Sequence, residues 1–252
     1  RKEQTIATDQ DNAIIFEDVG EDNVQRIKNY FLKFAETVNN HLAHVGYELC
    51  IGGMMAKNPK YTLTLSDWKK KFTGWINTPE PQNIIDTAVF FDFRCIYGDS
   101  FFTDELRKHV NLLIDKKAIF VYHLAQTVIQ YRSPLNIFGN IPSGDNETFD
   151  IKKILLPVVT FIKVFSLKCK IAETNTLQRL EQLLNQNVVQ KPMYGELKQA
   201  YNFLMGLRFH TQTNALKEFR KPDNTININS LTEIEKSTLK KVYSLISEMQ
   251  TK

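Results

Sequence analysis

One stretch constrains this chain more than any other. In Thr8-Asp9-Gln10-Asp11-Asn12-Ala13-Ile14-Ile15-Phe16, a polar head bearing two carboxylates runs straight into an apolar tail. Successive side chains of a strand point to opposite faces, so Asp9 and Asp11 project from the same side. The tail, Ala13 to Phe16, is apolar on both faces, which suits a strand covered on both sides. Two carboxylates held together resist joint ionisation unless a cation sits between them. An oxygen-only pair suits Mg²⁺, which is held by one or two carboxylates plus substrate phosphates. The competing reading is an ordinary turn, since Asp and Asn are common turn residues.

A second acidic position lies in Ala88-Val89-Phe90-Phe91-Asp92-Phe93-Arg94, a strongly β-prone apolar run read as a strand. A charge there is costly unless paired or coordinated. Either Asp92 joins the first pair at a cation, or it pairs with Arg94, its same-face neighbour.

Size and charge narrow the classes. The 252 residues, 42% of them hydrophobic, suffice for one large core or two modest ones. A net charge of +4 is compatible with holding a triphosphate but leaves no nucleic-acid footprint, which needs clustered Lys and Arg. Cys50, Cys95 and Cys169 are widely spaced and odd in number, the pattern of reduced thiols in a cytoplasmic protein. Neither a signal peptide nor a long apolar run is apparent, so neither secretion nor a membrane span is expected.

In chain order, Val24 to Ala43 reads as a helix, with Val24, Ile27, Phe31, Phe34, Ala35, Val38 and Leu42 on one face. Asn23 is its expected N-cap and Gly46 its stop. A short strand from Tyr47 to Ile51 is expected next, so the order strand-helix-strand points to an α/β core. Gly52-Gly53-Met54-Met55-Ala56-Lys57-Asn58-Pro59 is a loop whose glycines allow close backbone approach to a ligand, with Lys57 in reach of a phosphate. It lacks P-loop spacing, so an ordinary glycine turn is the alternative. Ser66 reads as the cap of a helix from Asp67 to Ile76, with Trp68, Phe72 and Trp75 packed and Lys69-Lys70-Lys71 largely solvated. Pro79 and Pro81 break the chain before the Asp92 run.

Tyr97-Gly98-Asp99 reads as a turn and Thr103 as the cap of a helix from 104 to 115. From Lys116 onward the pattern is helical: 118–131, 151–168, 176–184, 194–213 and 232–249, with a Gly/Pro/Asn-rich loop from Pro134 to Glu147. His109, His123 and His210 have no metal-ligand partner at i+4 and read as structural.

These motifs carry a family resemblance. The run Arg1 to Ala13, then Gly46-Tyr47, Cys50, Gly52 to Pro59, Trp68, Trp75-Ile76, Phe91 to Arg94, Tyr97-Gly98-Asp99, Pro134 to Gly139 and Leu207-Arg208-Phe209-His210 resemble a bacterial nucleotidyltransferase family. That family is similar to the N-terminal region of the PII-protein uridylyltransferases, within the polymerase-β-like superfamily. The resemblance implies an α+β or α/β fold: a nucleotidyltransferase-like small mixed sheet with helices over 1–115, then an α-helical bundle over 116–252. It implies that Asp9 and Asp11 ligate Mg²⁺ or Mn²⁺, that Asp92 is the third catalytic carboxylate, and that an NTP is the substrate. Arg1, Thr8, Asn12, Lys57 and Arg94 are the residues expected around that nucleotide.

The superfamily grips the phosphates with a Gly-Ser turn just before the first carboxylates, and Arg1 looks like the residue that follows it. The chain is therefore expected to be a piece of a longer protein. Relatives often carry CBS or cyclic-nucleotide-binding domains upstream. The expected reaction moves a nucleoside monophosphate to a hydroxyl on a protein or small molecule, in signalling. Two alternatives stand beside it: a non-catalytic nucleotide-binding module and a helical interaction scaffold.

Overall fold

The computed structural model describes residues 1–78, 89–129 and 148–250. The fold is α+β and mostly helical, 65% helix, with small sheets of two strands each, as the sequence leads one to expect. The chain divides into two compact units, residues 7–120 and residues 1–6 with 121–252.

In the first unit, β1 (Ile14–Phe16) lies parallel to β2 (Thr62–Thr64), with Ile14 opposite Thr62 and Phe16 opposite Thr64. Between them runs α1 (Glu21–His44). Gly46 ends it with φ near +102°, a left-handed conformation that a side chain rarely adopts. The helix begins at Glu21 with Gly20 at the cap position, so the cap expected at Asn23 is displaced one turn inward. The strand expected over Tyr47–Ile51 does not form. Only Glu48 makes a bridge there, to Asp9, because the following residues turn away into the glycine loop.

β2 leads directly into α2 (Leu65–Asn77). Its cap is Thr64, whose hydroxyl accepts from the Asp67 N–H, rather than Ser66. Ser66 instead donates its hydroxyl and backbone N–H to Asp18. The core of this unit is aromatic: Trp68, Phe72, Trp75, Phe90 and Phe91 are buried and pack ring on ring. Trp68 also donates its indole N–H to the Ile14 carbonyl at 2.9 Å, tying α2 to the strand that follows the carboxylates. The positions of Pro79 and Pro81 lie outside the described residues.

The Asp92 run is not a strand. Residues 89 and 90 are helical, and Phe91 and Asp92 form a turn closed by N–H bonds from Asp92 to Val89 and from Phe93 to Phe90. Its rings face the aromatic core instead of a neighbouring strand, and tertiary packing overrides β propensity here. α3 (Phe101–Lys116) follows and packs across α2. It begins at Phe101, before the expected Thr103 cap; Thr103 donates back to the Ser100 carbonyl. α4 runs over Ala118–Ile129. The expected loop 134–147 lies outside the described residues.

The second unit holds β3 (Thr148–Asp150) antiparallel to β4 (Thr225–Asn227), and α5 (Ile151–Lys168), α6 (Thr176–Asn185), α7 (Lys191–Lys217) and α8 (Glu233–Met249). α5 packs against α6 and α7, and its mostly apolar circumference is buried. Leu180, Leu197, Leu204 and Ile246 meet it in one core. Asp150, Asn175 and Thr232 cap α5, α6 and α8 with their side chains. Residues 1–6 belong to this unit: the Glu3 carboxylate accepts from the Thr176 N–H and from Asn175 at the start of α6, where the helix dipole favours negative charge.

Candidate functional site

The carboxylate pair lies on the extended segment that precedes β1, which pairs only through the isolated bridge of Asp9 to Glu48; the strand read from the sequence begins later, at Ile14. Asp9 and Asp11 are exposed on one side, while Gln10 and Asn12 turn to the other. Gln10 is only 4% exposed and Asn39, on α1, only 1%. The Gln10 amide donates to the carbonyls of Asn39 and Tyr47 at 2.9 and 2.8 Å, and its oxygen accepts from Asn39 Nδ2 at 2.8 Å. Asn39 Nδ2 also donates to Asn12 Oδ1, which accepts in addition from the Ala56 N–H. Asn39 Oδ1 accepts from the Lys57 N–H. This buried network fastens the carboxylate strand to α1 and to the glycine loop. Such networks rigidify when every member is satisfied.

The strand meets the loop through backbone bonds from Gln10 N–H to the Glu48 carbonyl and from Asn12 N–H to the Met54 carbonyl, 2.9 and 3.1 Å. Between these anchors the chain turns at Gly53, whose φ is near +66°. Asn58 braces the turn by donating to the Gly53 carbonyl.

Cys50 lies two residues beyond the isolated Asp9–Glu48 bridge, where the chain leaves the pairing and turns into the glycine loop. The side chains of Asp9, Asp11 and Cys50 each offer a ligand atom, and these atoms lie within 4.8 Å of one another. Burial pushes the Cys50 thiol above its ordinary pKa, and the Asp11 carboxylate adds to this, against backbone N–H bonds from Met54 and Gly52. Two oxygen donors and one sulfur within that span suit a divalent cation, so the donor set fits a metal ion at the carboxylate pair. Sequence reasoning counted Cys50 among the family motifs and as a reduced thiol, and gave it no place beside the carboxylates. Its approach to the carboxylates follows from the bridge between residues 9 and 48 and the turn at Gly53, which periodicity within either segment does not disclose.

Asp92 is not part of this group. It is half-buried on the turn after Phe91, and that turn is held by Arg107 of α3. Arg107 donates to the carbonyls of Phe91 and Phe93 at 2.8 and 2.7 Å, and its guanidinium lies 3.8 Å from the Phe93 ring centre. Arg94 is exposed beside it. Arg1 pairs with Glu3 at 3.4 Å in the unit that contains α6. Thr8 precedes the pair and is half-buried.

Beside the glycine loop, Leu32, Lys33 and Glu36 of α1 and Gly53, Met55, Lys57 and Asn58 line an open groove of about 410 Å³. Lys33 and Lys57 place two cations on its walls. The histidines have local protein partners: His109 contacts the Thr73 hydroxyl and the Lys69 carbonyl, His123 meets Gln126, and His210 meets Asn214. Arg208 is buried and donates to Asn224.

No helix among the described residues is long and apolar enough to cross a membrane. No curated protein matches the chain. Two family models do. Residues 1–82 match "Putative nucleotidyltransferase DUF294", and residues 118–252 match "Putative nucleotidyltransferase substrate binding domain". The chain belongs to this nucleotidyltransferase family.

Proposed function

We propose that this protein transfers a nucleoside monophosphate from an NTP to a hydroxyl of a protein or small-molecule acceptor, in a cytoplasmic signalling role. The observation that carries the reading is the convergence of Asp9 and Asp11 on an extended segment pinned to the glycine loop. A Mg²⁺ or Mn²⁺ ion there would neutralise triphosphate charge and polarise the reacting phosphorus. Asp9 and Asp11 hold the ion. Lys57 and Lys33 attract phosphate oxygens along the groove, and the backbone around Gly53 allows close approach. Thr8, Asn12, Arg1 and Arg94 remain the other nucleotide-binding candidates, with Asn12 acting through the loop backbone that it braces.

Asp92 is assigned the third carboxylate role, accepting the proton of the attacking hydroxyl. Residues 1–115 would carry the chemistry and residues 116–252 would select the acceptor, consistent with the substrate-binding name of the model matched there. CBS or cyclic-nucleotide-binding domains upstream would supply regulation.

The test is calorimetric titration of the four NTPs with and without Mg²⁺, using Asp9→Asn/Asp11→Asn as the control. Mg²⁺-dependent binding lost in the control supports the site and names the nucleotide. Labelled NTP then reports transfer. A well-folded chain that binds no NTP refutes the reading. The separation of Asp92 from the Asp9–Asp11–Cys50 group favours a second reading, nucleotide binding without transfer. Binding without labelled product for any acceptor pool would select it.

A further inference from the structure

We infer that Glu3 is a positioning residue for the carboxylate pair: its side chain latches residues 1–6 to the start of α6, and the chain carries that hold forward to Asp9 and Asp11. The inference rests on the reading of Asp9 and Asp11 as metal ligands and adds to it a residue that fixes where they lie.

Glu3 is built into the helical unit. Its side chain is only 6% exposed. One carboxylate oxygen accepts from the Thr176 N–H and from Asn175 Nδ2, and the other pairs with Arg1 Nε at 3.4 Å. Tyr201, itself buried, adjoins the carboxylate. Burial raises the pKa of its phenol, and the Glu3 charge and the hydrogen bond between the two raise it further. Thr5 is buried in the same segment. Taking a carboxylate out of water is costly unless partners compensate it, and the N–H groups of a helix start and a guanidinium do so at Glu3.

Capping α6 does not account for this arrangement. The helix has its own cap, since Asn175 Oδ1 accepts from the Gln178 N–H at 3.1 Å. What Glu3 fixes is its own segment, which has neither helix nor strand to hold it. Residues 1–6 group with the helical unit, whereas residues 7–120 form the unit of the carboxylates. The chain bends at Ile6 and Ala7 and then reaches Asp9.

The carboxylate segment pairs only through the isolated Asp9–Glu48 bridge, so it lacks the ladder that keeps a full strand in register. Gln10 and Asn12 pin it on the far side of Asp9, through Asn39 and the glycine loop. The latch pins it on the near side. Without the latch, the residues before Asp9 regain backbone freedom that ion binding must remove again.

The experiment compares the full chain with Glu3→Ala, Glu3→Gln and Thr232→Ala. The last weakens the helical unit at α8 without touching the latch. Circular dichroism and tryptophan fluorescence establish that each variant is folded. Amide hydrogen exchange over residues 7–13, which include the bonded N–H groups of Gln10 and Asn12, is read first without metal. It should quicken about tenfold in Glu3→Ala and less in Glu3→Gln, whose amide oxygen still accepts from the Thr176 N–H. Thr232→Ala should leave it unchanged. Mn²⁺ alone is then titrated and the free ion followed by electron paramagnetic resonance. Its affinity should fall about tenfold in Glu3→Ala, with the same order among the variants.

Exchange over residues 7–13 that is unchanged in Glu3→Ala overturns the latch, whatever the ion does. Faster exchange with unchanged Mn²⁺ affinity overturns the positioning role. An equal loss in Thr232→Ala also overturns it, because general weakening of the helical unit would then suffice. A folded wild-type chain that binds no Mn²⁺, with exchange quickened in Glu3→Ala, refutes the metal reading and upholds the latch.

Discussion

Asn39→Ala tests whether the carboxylate strand is held by the buried amide network. The substitution removes bonds from Asn39 Nδ2 to Gln10 Oε1 and Asn12 Oδ1, and the bond it accepts from Lys57 N–H. Asn12 Oδ1 keeps the Ala56 N–H, but Gln10 Oε1 and the Lys57 N–H lose their Asn39 partner. An unsatisfied buried polar group costs about 1–3 kcal/mol, so the loss is about 3 kcal/mol for the two. The Asn39 carbonyl still accepts from Gln10, which limits the loss to side-chain bonds.

Tryptophan fluorescence in urea is the appropriate assay. The chain has two tryptophans, Trp68 and Trp75, both in the unit of residues 7–120, so the signal reports that unit alone. With a urea slope of about 2 kcal/mol per molar, the midpoint should fall by about 1.5 M. A double-mutant cycle with Gln10→Ala should give a coupling of about 0.5–3 kcal/mol. A midpoint shift below about 0.3 M with unchanged slope would refute the network argument.

Three further outcomes follow from other parts of the molecule. Arg107→Lys loses the forked donation to Phe91 and Phe93 and the stack on Phe93; it should destabilise the same fluorescence transition by about 1–2 kcal/mol, and an unchanged midpoint would show that the Asp92 turn holds itself. Thr232→Ala breaks the capping box with Glu235 and should cost α8 about 1 kcal/mol, read by far-ultraviolet circular dichroism in urea. His109 has its pKa lowered by burial, against the bond to the Lys69 carbonyl. Its neutral form is therefore favoured on folding, so its contribution is present above the ordinary value of 6.5 and lost as pH falls through the depressed folded value. The fluorescence-detected midpoint of the first unit should decline more steeply over that acidic range in the wild type than in His109→Gln; parallel profiles would exclude His109 as a source of the decline.

Much of the helical half was legible because its signals are local. Apolar spacing marked α5 at 151–168 and the start of α6 at Thr176, while the caps Asp150 and Asn175 were found only in the structure. Propensity failed where burial was decided elsewhere. The Val89–Phe93 run has strand-forming residues, yet Trp68, Phe72 and Arg107 take up its rings and carbonyls, so it turns. The Tyr47–Ile51 segment likewise gave way to a single bridge because the strand's next donor, Asn12, reaches past it to Met54.

The amino-acid sequence by itself determined that Asp9 and Asp11 share a face, since strand periodicity acts within one segment. It also determined the helix periodicities and the family motifs. Only the tertiary structure decided what lies opposite those carboxylates. Cys50 joins them through a bridge between residues 9 and 48, while Gln10 and Asn12 engage Asn39 on α1. Pairing register and buried hydrogen bonds are set by the whole fold's need to satisfy backbone and side-chain polar groups together, and no window along the chain contains both partners.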